Sequence, residues 1–342
     1  MKRYKCTVSY CGAAYSGWQT QLNGTSIQEQ IESALSTICV REMHITGAGR
    51  TDAKVNAWGQ VFHFDTDLEM KPARWRSALN GKLPPDIRIR IAEEAGRYFH
   101  ARYCVRSKCY EYRINTGEYN VFSRNYAYQC PVELDTEAMK EASAVFVGTH
   151  DFTSFNSTTL REIPNQVRTV DSIDFRQEGE ELVISYTGKG FLRYMVRMMS
   201  AALIDAGRHK KSADEIRNML EERSKRTDRR NAKPEGLTLK EISYYDILSM
   251  NDTLMIREWL KDDVIPDWYR IAHQTGEQPL SFVLCERRGQ RVIGVLECEP
   301  GNNAKLILEE EENMDEAGEL ILPLNEYLAK HEIAEKAEIL IR

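Results

Sequence analysis

An arginine and an aspartate stand two residues apart in the stretch 47–61, GAGRTDAKVNAWGQV, whose other residues are mostly small. The glycines before Arg50 allow a tight turn that brings Arg50 and Asp52 to a common cleft. A carboxylate beside a guanidinium is expected to stay ionised at neutral pH, because the opposite charge favours the charged form. Such a carboxylate can act as a nucleophile or a base. An isolated aspartate in this setting is also typical of a turn or a helix cap.

The elements around this stretch indicate an α+β fold. Ser26 stands three residues before Glu29, a capping box that predicts a helix with its apolar positions on one face. A second helix is expected from about residue 73 to residue 83, stopped by Pro84 and Pro85. Alternating apolar and polar residues predict strands at 4–10, 59–66 and 86–93.

A similar progression follows in the second half of the chain. Strands are predicted at 107–115, 167–175, 181–188 and 237–247, and helices at about 136–147, 191–207 and 213–224. Mixed strands with helices on one face predict two similar α/β halves, residues 1–105 and 106–250. No sequence repeat establishes a duplication.

Composition indicates a soluble globular protein. The chain has 342 residues, of which 42% are hydrophobic and 29% charged, enough for two or more domains. Its N-terminus shows no signal-peptide pattern and no apolar run could span a bilayer, so a cytoplasmic protein is expected. Eight cysteines without a Cys-x-x-Cys pair favour reduced thiols over a zinc ribbon or a disulfide framework.

Charge divides the chain into two parts. Residues 252–342 carry 20 acidic and 10 basic side chains, whereas the residues before them carry 32 acidic and 36 basic ones. We therefore expect a mildly basic body and an acidic extension, residues 251–342. The extension should hold a hairpin at 282–299 with Gly289 at its turn, an acidic run at 309–312, an amphipathic helix near 323–331 and a terminal strand. It would be a packing or oligomerisation module, or a remnant of an acyltransferase-like domain.

Six stretches in order resemble the signatures of the TruA-type tRNA pseudouridine synthases, and together they cover about residues 3–246. These stretches are YSGWQTQLNGTSIQEQIESAL, GRTD with GQV, ALNGKLPPDIRI, FHARYCVRSKCYEYRI, VGTHDFTSFNS with VRTV, and GFLRYMVRMM. The resemblance implies the pseudouridine synthase fold, with mixed, largely antiparallel sheets that form a central cleft. It also implies isomerisation of uridine to pseudouridine in the anticodon stem-loop of tRNA, at the family-typical positions 38, 39 and 40.

The resemblance assigns five residues to the site. Asp52 would be the nucleophilic carboxylate, which attacks the base or the sugar or assists an elimination, and Arg197 its basic partner in an ion pair. Tyr110 would lie against the target base, although Tyr112 faces the same side of its strand. Leu192 would form a wall under the uracil, and Arg50 would enter the RNA when the target nucleotide is flipped out. By residue type alone, core packing, a solvated helix arginine and a turn arginine remain open for these positions.

The resemblance also implies the partners. The reaction needs no redox change and no external group, so neither a cofactor nor a metal is expected. The substrate would be tRNA, bound by a homodimer in which each tRNA contacts both subunits. Basic groups at 208–211 and 223–230, together with those at 71, 74, 76, 82, 88 and 90, could contact phosphates or form an ordinary solvated face.

Two residues depart from the family pattern Gly-Val-His-Ala. Lys54 replaces its glycine and should forbid a left-handed backbone at low cost, and Asn56 replaces its histidine. These changes could shift substrate choice or weaken activity. A non-catalytic tRNA-binding protein with a decayed site is therefore the alternative function, and a metal-dependent nuclease is less favoured, because no second carboxylate accompanies Asp52 at ligand spacing.

Overall fold

The computed structural model describes residues 1–226, 230–245, 247–250, 254–258, 280–286, 292–298, 304–308, 314–330 and 337–341. Contacts divide the chain into two units. The first holds Met1–Ala95 and Val105–Ser243, and the second holds Gly96–Cys104 and Tyr244–Arg342. The predicted domain boundaries after residues 105 and 250 stay predictions.

Ten strands and five helices build the first unit. The strands are β1 (Lys2–Tyr10), β2 (Thr46–Gly47), β3 (Asn56–Thr66), β4 (Ile87–Ala95), β5 (Val105–Asn115), β6 (Tyr128–Gln129), β7 (Gly148–Asp151), β8 (Val167–Glu178), β9 (Glu181–Gly188) and β10 (Leu237–Tyr244). The helices are α1 (Ile27–Cys39), α2 (Pro72–Asn80), α3 (Thr136–Ser143), α4 (Met195–Gly207) and α5 (Ala213–Glu221). The predicted α+β class is confirmed.

One sheet runs through both halves of this unit, in the order β4-β1-β3-β10-β5-β9-β8-β7. Most neighbours are antiparallel, as β1 is to β3 and β5 is to β9. Strand β10 lies between the two halves and pairs in parallel with β3, where Thr238 is opposite Asn56. The start of β3 therefore lies near the middle of the sheet, four residues after Asp52.

Helix α1 forms as the sequence predicts. The Glu29 backbone N–H donates to Ser26 Oγ at 3.1 Å, and the Ser26 N–H donates to Glu29 Oε2 at 3.4 Å, so the capping box is confirmed. The apolar positions of the helix, Ile27, Ile31 and Leu35 among them, are buried. Two N–H groups at a helix start that have no intrahelical partner are thereby satisfied.

Several predicted ends are wrong. Helix α2 ends at Asn80 rather than near residue 83, because the Asn80 side chain exchanges two hydrogen bonds with the backbone of Ile89, at 2.8 and 2.9 Å. Helix α4 begins at Met195 rather than 191, since Tyr194 takes a left-handed backbone with φ of 65°. Helices α3 and α5 end early, at Ser143 and Glu221, and β10 ends at Tyr244.

The second unit is built around a separate six-stranded sheet. Its elements are β11 (Ile247–Met250), β12 (Leu254–Glu258), β13 (Leu280–Glu286), β14 (Val292–Cys298), β15 (Ala304–Leu308), β16 (Ala337–Ile341) and α6 (Met314–Lys330). The strands follow one another in chain order across the sheet, and the predicted hairpin is the antiparallel pair β13 and β14. The predicted helix exists but starts at Met314, with Pro323 inside it. Gly289, Glu309–Glu312 and His331 lie outside the described residues.

No disulfide joins the eight cysteines, all of which lie in the described residues, and five of them are buried. In the described parts of the chain, no helix combines the length and the apolar character that a membrane span requires.

Candidate active site

Asp52 lies in a turn between β2 and β3 that is held by the segment before α1. The carbonyl of Asp52 accepts the Val55 N–H at 3.1 Å, and the carbonyl of Thr51 accepts the Trp18 N–H at 3.1 Å. Gly17 has φ of 103°, and an added Cβ would lie 2.7 Å from the Thr51 oxygen. Only glycine fits this close approach, so Gly17 and Trp18 fix the position of the Asp52 turn.

Helix α4 supplies the cation that faces Asp52. Arg197 Nη1 lies 3.5 Å from Asp52 Oδ2, and the two side chains are 12% and 21% exposed. Arg197 is itself positioned, because its Nε donates to the Ala232 carbonyl at 2.8 Å and its own carbonyl accepts the Ala232 N–H at 3.0 Å. The ion pair predicted from the sequence is confirmed.

Burial dominates the ionisation of Asp52. Desolvation raises the pKa of its carboxyl above the ordinary value of 3.8, whereas the charges of Arg197 and, more weakly, Arg193 lower it. The neighbouring guanidinium favours the ionised form, as the sequence predicts, but the effect of burial, which the sequence does not show, is larger. The assignment of that guanidinium to Arg50 is wrong, since Arg50 is exposed and makes no hydrogen bond or ion pair with a described residue.

Tyr110 on β5 lies close to this pair. Its side chain is 8% exposed and its ring stands perpendicular to that of Phe191, with centroids 5.4 Å apart. Burial, followed by Tyr10 and by the charge of Asp52, raises the pKa of its phenol far above the ordinary value, so the phenol is neutral. Tyr112 differs, since its hydroxyl donates to the Lys233 carbonyl at 3.0 Å and serves packing.

The turn before α4 connects the remaining residues. Leu192 is 5% exposed, and its carbonyl accepts the Met195 N–H at 3.0 Å. It stands between Phe191, which contacts Tyr110, and Arg193, which acts on Asp52. Sequence reasoning missed the contributions of Phe191 and Arg193, although both lie in the stretch GFLRYMVRMM, because it treated this turn as part of the helix.

Lys54 keeps the backbone that a glycine would take. Its φ is 65°, so the prediction that lysine forbids a left-handed conformation here is wrong. The Lys54 N–H donates to the Tyr15 carbonyl at 3.2 Å, which holds the turn in place. A side chain in this region costs about 1 kcal/mol or more, a strain that the surrounding contacts offset.

Asn56 is a buried junction of three segments. It accepts the Gly12 N–H at 2.8 Å and donates to the Asn125 and Glu235 carbonyls at 2.8 and 3.1 Å. A neutral imidazole has one donor and one acceptor, so it could make at most two of these three bonds. Asparagine in place of the family's histidine therefore forms all three hydrogen bonds, which tie the start of β3 to the segments of Gly12, Asn125 and Glu235.

Some of the candidate phosphate contacts have structural partners. Lys211 and Arg230 both pair with the buried carboxylate of Asp205. Lys225 Nζ donates to the Asn156 carbonyl and to the Gln166 amide oxygen, at 3.1 and 2.9 Å. The exposed cations outside these contacts stay candidates for RNA. Within the described residues, no three His, Cys, Asp or Glu side chains are grouped as a metal site would require.

Comparison with known proteins gives the family. The sequence profile described as tRNA pseudouridine synthase matches residues 7–104 and 142–245. The chain is 42% identical to tRNA pseudouridine synthase A of Anoxybacillus flavithermus over 245 residues, which are 71% of this chain and 99% of that protein. It is 42% identical over 244 residues to the protein of that name from Exiguobacterium sibiricum, and 40% identical over 247 residues to that from Bacillus subtilis. These alignments cover 71% of this chain in both cases, and 97% and 99% of those proteins.

The partly buried Asp52 carboxylate, paired with Arg197, lies next to a sheet that both halves share. The chain belongs to the tRNA pseudouridine synthase family. Its fold is the pseudouridine synthase fold that the resemblance implied.

Proposed function

We propose that this protein converts uridine to pseudouridine in tRNA. The observation that carries the proposal is the ion pair of Asp52 and Arg197. In this member of the family, the pair lies beside the buried, neutral phenol of Tyr110. In this reaction the bond between N1 and the ribose breaks, a bond from C5 to the ribose forms, and a proton leaves C5 while another binds N1. The bonds balance without an oxidant or a second substrate, so the proposal includes no cofactor and no metal.

Asp52 is the nucleophile in this proposal. Its partly buried position raises the pKa, which makes the carboxylate a stronger base and nucleophile once it is ionised. Arg197 stabilises the ionised form and fixes its orientation from α4. The pair thus keeps a reactive carboxylate charged in a site that water reaches poorly.

Tyr110 and Leu192 hold the base. The Tyr110 ring stacks on the flipped uracil, a contact that contributes about 1 to 3 kcal/mol, and Leu192 forms the apolar wall below it. The neutral Tyr110 phenol accepts the C5 proton only if its own proton passes on, for which the nearby Asp52 carboxylate is the available acceptor.

Arg50 is the residue that enters the RNA. Its side chain is exposed two residues before Asp52, so it can reach a neighbouring stem while the turn itself stays fixed. A guanidinium can fill the gap that a flipped nucleotide leaves and can pair with a phosphate. In this proposal, Arg50 contacts the RNA and Asp52 carries out the chemistry, although both belong to the same turn.

The target is the anticodon arm, and the enzyme is a cytoplasmic homodimer. These proposals rest on the family, whose members compared above are named as tRNA pseudouridine synthases. Residues 251–342 lie beyond the match to the family profile, which ends at residue 245, and we assign them a packing or oligomerisation role. An acidic segment is unsuited to RNA, because it repels phosphate.

The alternative is a tRNA-binding protein whose site has decayed. Lys54 and Asn56 are the residues that suggested it, yet both maintain the Asp52 turn and its surroundings. Mapping modified uridines in tRNA from cells lacking the protein tests the two functions. We expect pseudouridine to disappear from the anticodon arm and to return with the wild-type gene but not with Asp52→Ala. Unchanged tRNA, or full restoration by Asp52→Ala, contradicts the enzyme.

A further inference from the structure

The segment between β5 and α3 displays aromatic rings to solvent. Phe122 is 90% exposed, Tyr119 is 62% exposed and Tyr126 is 49% exposed, with Val121 between them at 55%. We call residues 119–126 the aromatic loop. Grouped exposed apolar side chains, unlike isolated ones, mark binding surfaces.

Hydrogen bonds give the aromatic loop a defined shape. The Asn120 N–H donates to Gln129 Oε1 at 2.9 Å, and the Phe122 N–H donates to Asn120 Oδ1 at 2.9 Å. The Tyr126 N–H then donates to the Ser123 carbonyl at 2.8 Å. The Phe122 ring is therefore exposed on an ordered turn. A ring presented in this way loses little conformational freedom when it binds.

The aromatic loop adjoins the Asp52 turn. The Asn125 carbonyl accepts from Asn56, four residues after Asp52 in the chain. The Tyr126 hydroxyl is hydrogen-bonded to the Cys11 thiol, next to Gly12, whose N–H also bonds to Asn56. The loop and the catalytic turn thus share one junction, so a substrate bound at Asp52 lies beside the loop.

Charge identifies the kind of ligand. Arg124 in the loop, and Arg50 and Lys54 in the Asp52 turn, are all exposed cations. Aromatic rings interleaved with cations suit single-stranded nucleic acid, because bases stack on the rings while phosphates meet the cations. A protein partner bound to the aromatic loop would compete with tRNA for the surface beside the Asp52 turn.

We propose that the aromatic loop binds an unpaired base of the tRNA, stacked on Phe122, next to the uridine that reaches Asp52. This inference rests on the proposed function and adds a second base contact outside the catalytic pocket. The loop thereby sets affinity for the tRNA without taking part in the chemistry.

Four variants of the full-length protein test the inference: Phe122→Ala, Phe122→Leu, Phe122→Trp and, as a control, Val40→Ala. Val40 is also 90% exposed, but it lies at the C-terminal end of α1. It is about 20 Å along the helix axis from Ser26, which caps the N-terminal end. The measurements are KM and kcat for tRNA by tritium release, Kd by filter binding, and oligomeric state by sedimentation. We expect Phe122→Ala and Phe122→Leu to raise Kd and KM about tenfold with kcat kept, and Phe122→Trp and Val40→Ala to match the wild type.

Leucine separates stacking from a plain apolar contact. A Phe122→Leu protein that binds tRNA like the wild type overturns the inference in favour of a plain apolar contact, and a change of oligomeric state in Phe122→Ala overturns it in favour of a protein contact. Equal Kd in all four variants also overturns it. Tritium release by the wild type decides the proposed function, whereas the ratio of Kd values decides the role of the loop, so the two failures are distinguishable.

Discussion

At the scale of single residues, the proposed function makes the reaction depend on the ionisation of Asp52. If the carboxylate is the nucleophile, kcat/KM should fall on acidification with a midpoint above pH 3.8, the ordinary pKa. Arg197 is the largest influence that lowers this pKa, and Arg197→Met should therefore shift the midpoint to higher pH. Arg197→Lys, which keeps the charge, should shift it less. A pH profile of each variant measures this, and a midpoint that stays or moves to lower pH in Arg197→Met contradicts the assignment.

The same carboxylate should lower the stability of the fold. Its pKa is raised on folding, so ionisation costs stability as the pH rises from about 3.8 through the folded pKa. Asparagine mimics the neutral form and avoids this cost. The free energy of unfolding of Asp52→Asn, relative to the wild type, should therefore increase with pH over this window and stay constant at neutral pH. Urea unfolding at several pH values measures it, and a difference that shrinks with rising pH is the contrary result.

Lys54 carries backbone strain beside the site. Because its φ is 65°, Lys54→Gly should stabilise the protein by about 1 kcal/mol. Ala53→Gly is the matched control, since Ala53 itself has no positive φ to relieve and glycine there only adds freedom to the unfolded chain. Urea unfolding compares the two variants. Equal losses of stability in both would show that the strain at residue 54 is negligible.

At the scale of elements, Asn56 ties β3 to three other segments. Asn56→Ala leaves the Gly12 N–H and two carbonyls without their partner and should cost about 3 kcal/mol. Asn56→Asp keeps the shape but places a carboxylate against both carbonyls, so it should destabilise at least as much as alanine. Thermal unfolding of both variants measures this, and an aspartate variant as stable as the wild type would mean that the amide donors contribute nothing.

The sequence predicts elements better than their ends. The capping box at Ser26 and the alternation of β1 depend on neighbouring residues, and both are confirmed. The end of α2 depends on hydrogen bonds from the Asn80 side chain to the backbone of Ile89, nine residues away, and the start of α4 depends on the left-handed backbone of Tyr194. Local patterns contain neither feature.

The candidate site shows the same limit. Its residue types and the Asp52 and Arg197 pair followed from the resemblance, which brings together residues 145 positions apart. The direction of the Asp52 pKa did not follow, because burial is a property of the assembled sheet and helix. The partners of Asn56 were also beyond prediction, since they come from three distant segments of the chain.

At the scale of the whole molecule, the chain joins a basic body to an acidic extension. A truncated variant that ends at residue 246 lacks 20 acidic and 10 basic residues. The truncated variant would have about the same length as the relative from Anoxybacillus flavithermus. It should bind tRNA more tightly than the full chain at low salt, with a gap that closes as salt screens the charges. Binding titrations over a salt series measure the gap. Tighter binding by the full chain at every salt concentration would instead place RNA contacts in the extension.

The central claim is that Asp52 carries out the isomerisation. The most direct test is tritium release from tRNA labelled at carbon 5 of uridine, measured for the wild type and Asp52→Asn, with tRNA affinity determined for both. We predict release by the wild type alone, at equal affinity. Release by Asp52→Asn at the wild-type rate, or none by either protein, contradicts the account.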